Sequence, residues 1–322
     1  MEKILLLLFI HTTLNILTKN NILESNYSVY VNMILTTLGC AYIGTNLNRE
    51  PTLISETQAD TMFDEGLAKM YPLILSVVLF SIYGIIKLFP NNSHIFLTIF
   101  FYISVLSSLL NLVPKDQIDT LSPIITILII MWCSYTILTK KDDDTPKIYI
   151  NNIIAILISI SSINAIKTNN INTSVLLLAG LFIFDIFWVF GSKLISSQIV
   201  GEANAEGVME KVATTIDAPI MLRLFNNTID NKTKLNILGL GDIVLPAIFI
   251  KSLKCLGNNY YNTGLLSHLI GLIFTFISME YFKSGQPALL YIVPAMFIPF
   301  FTRLAYDNGM NINNILDAMK CI

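Results

Sequence analysis

Nine apolar blocks, each about the 20 residues that an α-helix needs to cross a bilayer core of roughly 30 Å, decide what this chain can fold into. They run roughly over 29–46, 72–89, 94–113, 121–139, 148–166, 174–191, 235–256, 262–282 and 286–305, and charge, Asn or Pro clusters bound them. Only 13% of the residues are charged and the mean hydropathy is +0.65. A soluble globular chain carries roughly 25% charged residues. The expected fold is therefore all-α: a polytopic transmembrane bundle of about nine spans.

The first apolar run, Ile4–Leu17, is shorter and comes directly after Met1-Glu2-Lys3. Its length suits a signal peptide or signal anchor over residues 1–20. The rest divides into an N-terminal membrane bundle at 21–173 (spans one to five) and a second membrane region at 174–322 (spans six to nine). A polar stretch at 192–234 separates spans six and seven, and a loop that long is uncommon unless it is functional or disordered.

Charge and motif content remove several classes. The net charge is −2 and the 20 Lys and Arg residues are scattered, so no basic surface offers itself to nucleic acid. Cys40, Cys133, Cys255 and Cys321 lie far apart, without a C-x-x-C pair. His11, His94 and His268 are equally isolated, and H-E-x-x-H is absent. Neither a metal nor another cofactor is expected. With span one starting outside the cytosol, short cytosolic segments hold Arg49, Lys69, Lys115, Lys167, Lys251, Lys254, Arg303 and Lys320. The opposite side holds Lys87, Lys140, Lys141, Lys147 and Lys283, a small tilt in the positive-inside sense.

Two carboxylates stand deep inside spans: Asp185 in LLLAGLFIFDIFWVFG and Asp242 in LNILGLGDIVLPAIFI. A charged carboxylate at mid-bilayer costs several kcal/mol, so it faces a protein interior or a water-filled cavity. One such residue is explained by a hydrogen bond to a neighbouring helix. Two on consecutive spans argue for a shared site. Glu280 sits near a span end beside Lys283, where a snorkelling role suits it. Two adjacent carboxyls in a dry site share one proton. The ionised one takes a proton from attacking water while the other protonates a peptide carbonyl. A proton-coupled transporter or ion pathway uses the same pair, and a non-catalytic membrane chaperone or adaptor retains it without using it.

The surroundings narrow the choice. Gly239-Leu240-Gly241-Asp242 places glycines one and three positions before the acid, and small residues let helices approach closely. Pro246 has no N–H for the carbonyl of Asp242. Gln286-Pro287-Ala288-Leu289 opens the last span, and Pro294 and Pro299 lie further along it, so an irregular wall is expected there.

Phe184-Asp185-Ile186-Phe187-Trp188-Val189-Phe190-Gly191, Gly239-Leu240-Gly241-Asp242 and Gln286-Pro287-Ala288-Leu289 resemble the three signatures of the signal peptide peptidase family, the GxGD-type intramembrane aspartyl proteases related to presenilins. The stretch from Val208 to Ile220 also resembles that family's segment after its first aspartate. The resemblance implies nine spans, an endoplasmic reticulum membrane location and cleavage of helical membrane segments such as remnant signal peptides. It assigns catalysis to Asp185 and Asp242, and support of site and substrate to Phe184, Gly239, Leu240, Gly241, Gln286, Pro287, Ala288 and Leu289. The implied partners are membrane-spanning helices and the bilayer, with a homo-oligomer as a candidate assembly. Because a helix hides its peptide groups, substrate is expected to dock partly as an extended strand, near Pro287 and the region 208–224. The chain departs from the family pattern at Phe184, where the family usually has Tyr, and in about a dozen extra residues near Ser192–Gly207. These set the aspartates 57 positions apart.

Overall fold

The computed structural model describes residues 2–20, 26–47, 64–89, 92–114, 117–139, 145–168, 170–191, 212, 218–226, 234–282 and 286–320. In chain order the elements are α1 (Glu2–Lys19), α2 (Asn26–Asn46), α3 (Glu65–Leu88), α4 (Ser93–Leu110), α5 (Ile118–Leu138), α6 (Thr145–Ala165) and α7 (Ile171–Ile186), which runs on into a π-helical turn (Phe187–Gly191). Then come β1 (Met221–Asn226), β2 (Lys234–Gly239), α8 (Gly241–Ser252), a 3-10 turn (Leu253–Leu256), α9 (Asn258–Phe282), α10 (Leu289–Asp307) and α11 (Ile312–Ala318). Among the described residues, seven segments are long and apolar enough to cross a bilayer: α3, α4, α5, α6, α7 with its π turn, α9 and α10. Their outer faces suit lipid as solvent. On α5, for example, Ile124, Ile127, Leu128, Ile130 and Met131 are all exposed.

Two expected spans are not among the seven. The block at 29–46 forms α2, whose Asn32, Thr36, Thr37, Thr45 and Asn46 lower its hydropathy. The block at 235–256 is not one helix. It starts as β2, turns at Leu240, and continues as the 12-residue α8 and a 3-10 turn. Twelve helical residues span about 18 Å, short of a bilayer core. Glycine is a poor helix former, and Gly239 and Gly241 stand where strand gives way to helix. Likewise, part of the polar stretch at 192–234 is strand β1, which pairs antiparallel with β2, Leu222 opposite Leu238 and Arg223 opposite Ile237. Residues 192–207 lie outside the described residues.

The chain folds as two compact units interleaved in sequence. Unit one contains α1, α2, α4 from Thr98, α5, α6, the β1–β2 hairpin and α8 as far as Ala247. α2 packs on α6 where a Cβ on Gly44 would fall 2.8 Å from the Cβ of Ile163. Between α1 and α2 several of the buried groups are polar and hydrogen-bonded across the helices. His11 Nδ1 lies 2.8 Å from the Thr36 hydroxyl, and the Asn32 amide donates to the His11 carbonyl at 3.2 Å. Tyr102 and Trp132 both donate to Asn151 Oδ1, at 3.4 and 3.0 Å, which ties α4 and α5 to α6.

Unit two contains α3, α7, α8 from Ile248, α9, α10 and α11. α3 meets α7 where a Cβ on Gly180 would touch Pro72. The Asn170 side chain caps α7 by accepting from the Thr173 N–H at 2.9 Å. α9 meets α10 at Gly271, where a Cβ would fall 2.7 Å from Ile292 Cα, while one on Gly264, earlier in α9, would meet Leu253 of the 3-10 turn. Phe249, Phe297 and Phe300 stack edge to face beside this seam. At its far end Tyr260 donates to Asp307 at 2.5 Å, and Arg303 lies over the Tyr260 ring.

Candidate active-site elements

In unit two, Asp185 stands in the last turn of α7, just before the helix widens into the π turn, and is buried. The backbone N–H of Leu289 donates to its carboxylate. Leu289 is the first residue of α10, and first-turn N–H groups have no partner within their own helix. They also form the positive end of the helix dipole, a natural seat for a carboxylate. Asp185 Oδ2 has no hydrogen-bond partner among the described residues.

The Gln286–Leu289 stretch is thus a shaped entry to a helix. Pro287, Ala288 and Leu289 are buried, and Thr275 of α9 donates to the Ala288 carbonyl at 3.4 Å. The Tyr291 hydroxyl reaches Gln286 Oε1 at 3.5 Å. Phe184 is half-buried with its ring tilted on Trp188 at 6.3 Å. Trp188 in turn donates to Ser76 Oγ of α3 at 3.0 Å. The aromatic run after Asp185 therefore anchors the π turn to α3.

In unit one, β2 ends at Gly239, and the Leu240 N–H donates back across the hairpin to the Ile220 carbonyl at 3.1 Å. α8 then starts at Gly241, with Asp242 half-buried in its first turn. The Leu240 carbonyl accepts from Ile243 and Val244 at 3.1 and 2.9 Å, which closes the corner. A Cβ on Gly239 would lie 3.4 Å from Asp242 Oδ2, so a side chain there crowds the carboxylate. Hydrogen-bonded and non-hydrogen-bonded pairs alternate along an antiparallel ladder. Leu240 bonds across, and Arg223 bonds away from β2 through the Asn152 side chain. The N–H and C=O of Leu235, Ile237 and Gly239 consequently point away from β1. Nothing among the described residues pairs with them, and the Ile237 side chain is exposed.

Asp185, Asp242, Phe184, Gly239, Leu240, Gly241 and Gln286–Leu289 all stand out in the sequence. The structure joins Asp185 to Leu289 in one unit and Gly239 to Asp242 in the other. The hairpin does not stand out in the sequence; its one local signal is the alternation Leu222-Arg223-Leu224, in which the two leucines are buried and the arginine is not. Nor does Asn152, which no sequence pattern distinguishes from the other asparagines. Of the stretch 208–220, residues 208–211 and 213–217 lie outside the described residues. Among the described residues no three His, Cys, Asp or Glu side chains gather as a metal site.

Residues 55–312 match the family model described as signal peptide peptidase. Human signal peptide peptidase is 37% identical over 155 residues, covering 45% of this chain and 37% of the human protein. Intramembrane protease 2 of Caenorhabditis elegans is 34% identical over 197 residues, covering 51% and 39%. A probable intramembrane protease of Saccharomyces cerevisiae is 32% identical over 173 residues, covering 46% and 27%. The chain thus spans less than two fifths of the length of these relatives. With its seven apolar helices it is a multi-pass integral membrane protein. It belongs to the signal peptide peptidase family.

Proposed function

We propose that the chain is an intramembrane aspartyl endopeptidase that hydrolyses peptide bonds within transmembrane helices, remnant signal peptides among them, with Asp185 and Asp242 as its carboxyl pair. The observation that carries this reading is the setting of Asp185: a buried carboxylate on a membrane span, held by the first N–H of α10 and keeping one oxygen without a partner among the described residues. An oxygen so placed leaves that carboxylate able to bond water and a substrate carbonyl.

In this reading one carboxylate accepts a proton from water as the water oxygen bonds to the scissile carbonyl carbon. The protonated carboxyl donates to the carbonyl oxygen. Collapse of the tetrahedral intermediate breaks the C–N bond, the amine leaves with a proton, and the pair again holds one proton. The edge of β2, open among the described residues, supports extended docking. Unpaired backbone groups at membrane depth are tolerated only beside protein or water, and a substrate strand laid along β2 satisfies them three residues before Asp242. Substrates with helix-breaking residues near the scissile bond are favoured, because they unwind most cheaply.

The test is cleavage of a labelled signal-peptide-like substrate by purified wild type, Asp185→Ala and Asp242→Ala. Wild-type cleavage, lost in both variants, is the expected result. No cleavage by wild type, together with no binding of a hydroxyl-bearing tetrahedral mimic, sinks the proposal. The endoplasmic reticulum membrane, with the C-terminus in the cytosol, is the proposed location. Self-association is proposed too, and crosslinking in native membranes tests it.

A further inference from the structure

The outer edge of β1 is closed in an unusual way. Asn152, buried on α6, meets Arg223 of β1 twice: Nδ2 donates to the Arg223 carbonyl at 2.7 Å, and Oδ1 accepts from the Arg223 N–H at 2.9 Å. The side-chain amide thus makes both bonds that a third strand would make to that residue. The next outward-facing residue, Phe225, is held from two sides. Its N–H donates to Asn15 Oδ1 of α1 in a long contact of 3.4 Å. Its ring lies 5.9 Å from the Tyr149 ring, and Lys19 Nζ lies 5.1 Å from its centroid. All of these residues belong to unit one. The hairpin therefore has one closed edge, made of side chains from α1 and α6, and one edge, Leu235, Ile237 and Gly239 of β2, that stays open among the described residues.

The geometry points to Asn152 as a positioning residue that caps β1, leaving the β2 edge that leads to Asp242 as the one edge on which an extended substrate segment pairs. The proposal rests on the strand-docking reading above. The residue type matters. An aspartate there keeps an acceptor for the Arg223 N–H but sets a second acceptor against the Arg223 carbonyl. A leucine leaves both backbone groups unpaired. A β1 edge left open competes with β2 for the substrate, and a strand paired to β1 is one full strand further from Asp242.

Full-length wild type, Asn152→Leu and Asn152→Asp are compared in detergent micelles, using a labelled single-span substrate and a short hydroxyl-bearing mimic too small to reach β2. Removing binding that ground and transition states share raises KM and leaves kcat alone. Asn152→Leu is expected to raise KM about tenfold, equivalent to about 1.4 kcal/mol. Its kcat and its affinity for the mimic stay close to wild type, and amide exchange across 221–226 accelerates. Asn152→Asp shows the same pattern. An unchanged KM in both variants overturns the proposal. So does a parallel fall in kcat and mimic affinity, which marks general loss of structure. Wild type that binds the mimic yet cleaves no spanning substrate refutes strand docking and this role with it. Wild type that neither binds nor cleaves refutes the protease reading itself.

Discussion

Gly271 is the most sensitive position on the path from helix packing to the candidate chemistry. On α9 its missing side chain faces the backbone of α10: an added Cβ would lie 2.7 Å from Ile292 Cα. Carbon atoms pack best at about 3.5–4.0 Å, so Gly271→Ala forces the two helices apart by roughly 0.8 Å. A flexible side chain can swing away, but a helix backbone cannot. Overpacking of this kind costs about 1–3 kcal/mol. Ile292 lies one turn after Leu289, whose N–H holds the Asp185 carboxylate. The displacement therefore acts on that bond as well. A hydrogen bond to a charged group contributes about 1.5–3 kcal/mol, so its loss lowers the cleavage rate by roughly tenfold or more. The assay measures thermal unfolding in detergent beside the rate of substrate cleavage. Gly264→Ala, which meets the Leu253 Cδ1 at 2.9 Å, costs less because that methyl can yield. Gly84→Ala meets nothing within 4 Å and raises stability by about 0.5–1 kcal/mol through helix propensity. If Gly271→Ala unfolds at the wild-type temperature and cleaves at the wild-type rate, α9 does not hold α10 in place and the reasoning fails.

Single contacts give three more expected outcomes. Asp185→Asn and Asp242→Asn each remove a proton-transfer group, so cleavage falls by at least about 100-fold while the unfolding temperature stays near wild type. Trp188→Phe loses the bond to Ser76 at a cost of about 1 kcal/mol. A double-mutant cycle with Ser76→Ala returns most of that as coupling, and zero coupling contradicts the anchor. Asn170→Ala removes the cap of α7 and costs about 1 kcal/mol, read as a lower unfolding temperature.

Much of the fold is legible in the chain. Hydropathy marks membrane spans because a bilayer demands about 20 apolar residues per crossing, and seven segments among the described residues meet that demand. Asp185 stands out because its neighbours on both sides are apolar, and Gln286-Pro287-Ala288-Leu289 because prolines disturb a span. Hydropathy fails at 235–256, where an apolar run reads alike as strand or helix. The pairing that makes Lys234–Gly239 a strand comes from Met221–Asn226, in the polar stretch before it.

Asn152 and Leu289 mark the same boundary from the other side. In the sequence, Asn152 is one asparagine among many, and Leu289 is marked only as the last residue of the Gln286-Pro287-Ala288-Leu289 motif. Their roles depend on a group contributed by a distant segment, the Arg223 backbone for one and the Asp185 carboxylate at the end of α7 for the other. Local composition and length were enough to set the solvent, most of the spans and the place of Asp185 inside one of them, but not that of Asp242, whose block is strand and short helix. Where the chain leaves helical form, which strand edge stays open and which N–H meets Asp185 were decided only in three dimensions. Each of those depends on pairing groups far apart in the chain, and no local pattern records that pairing.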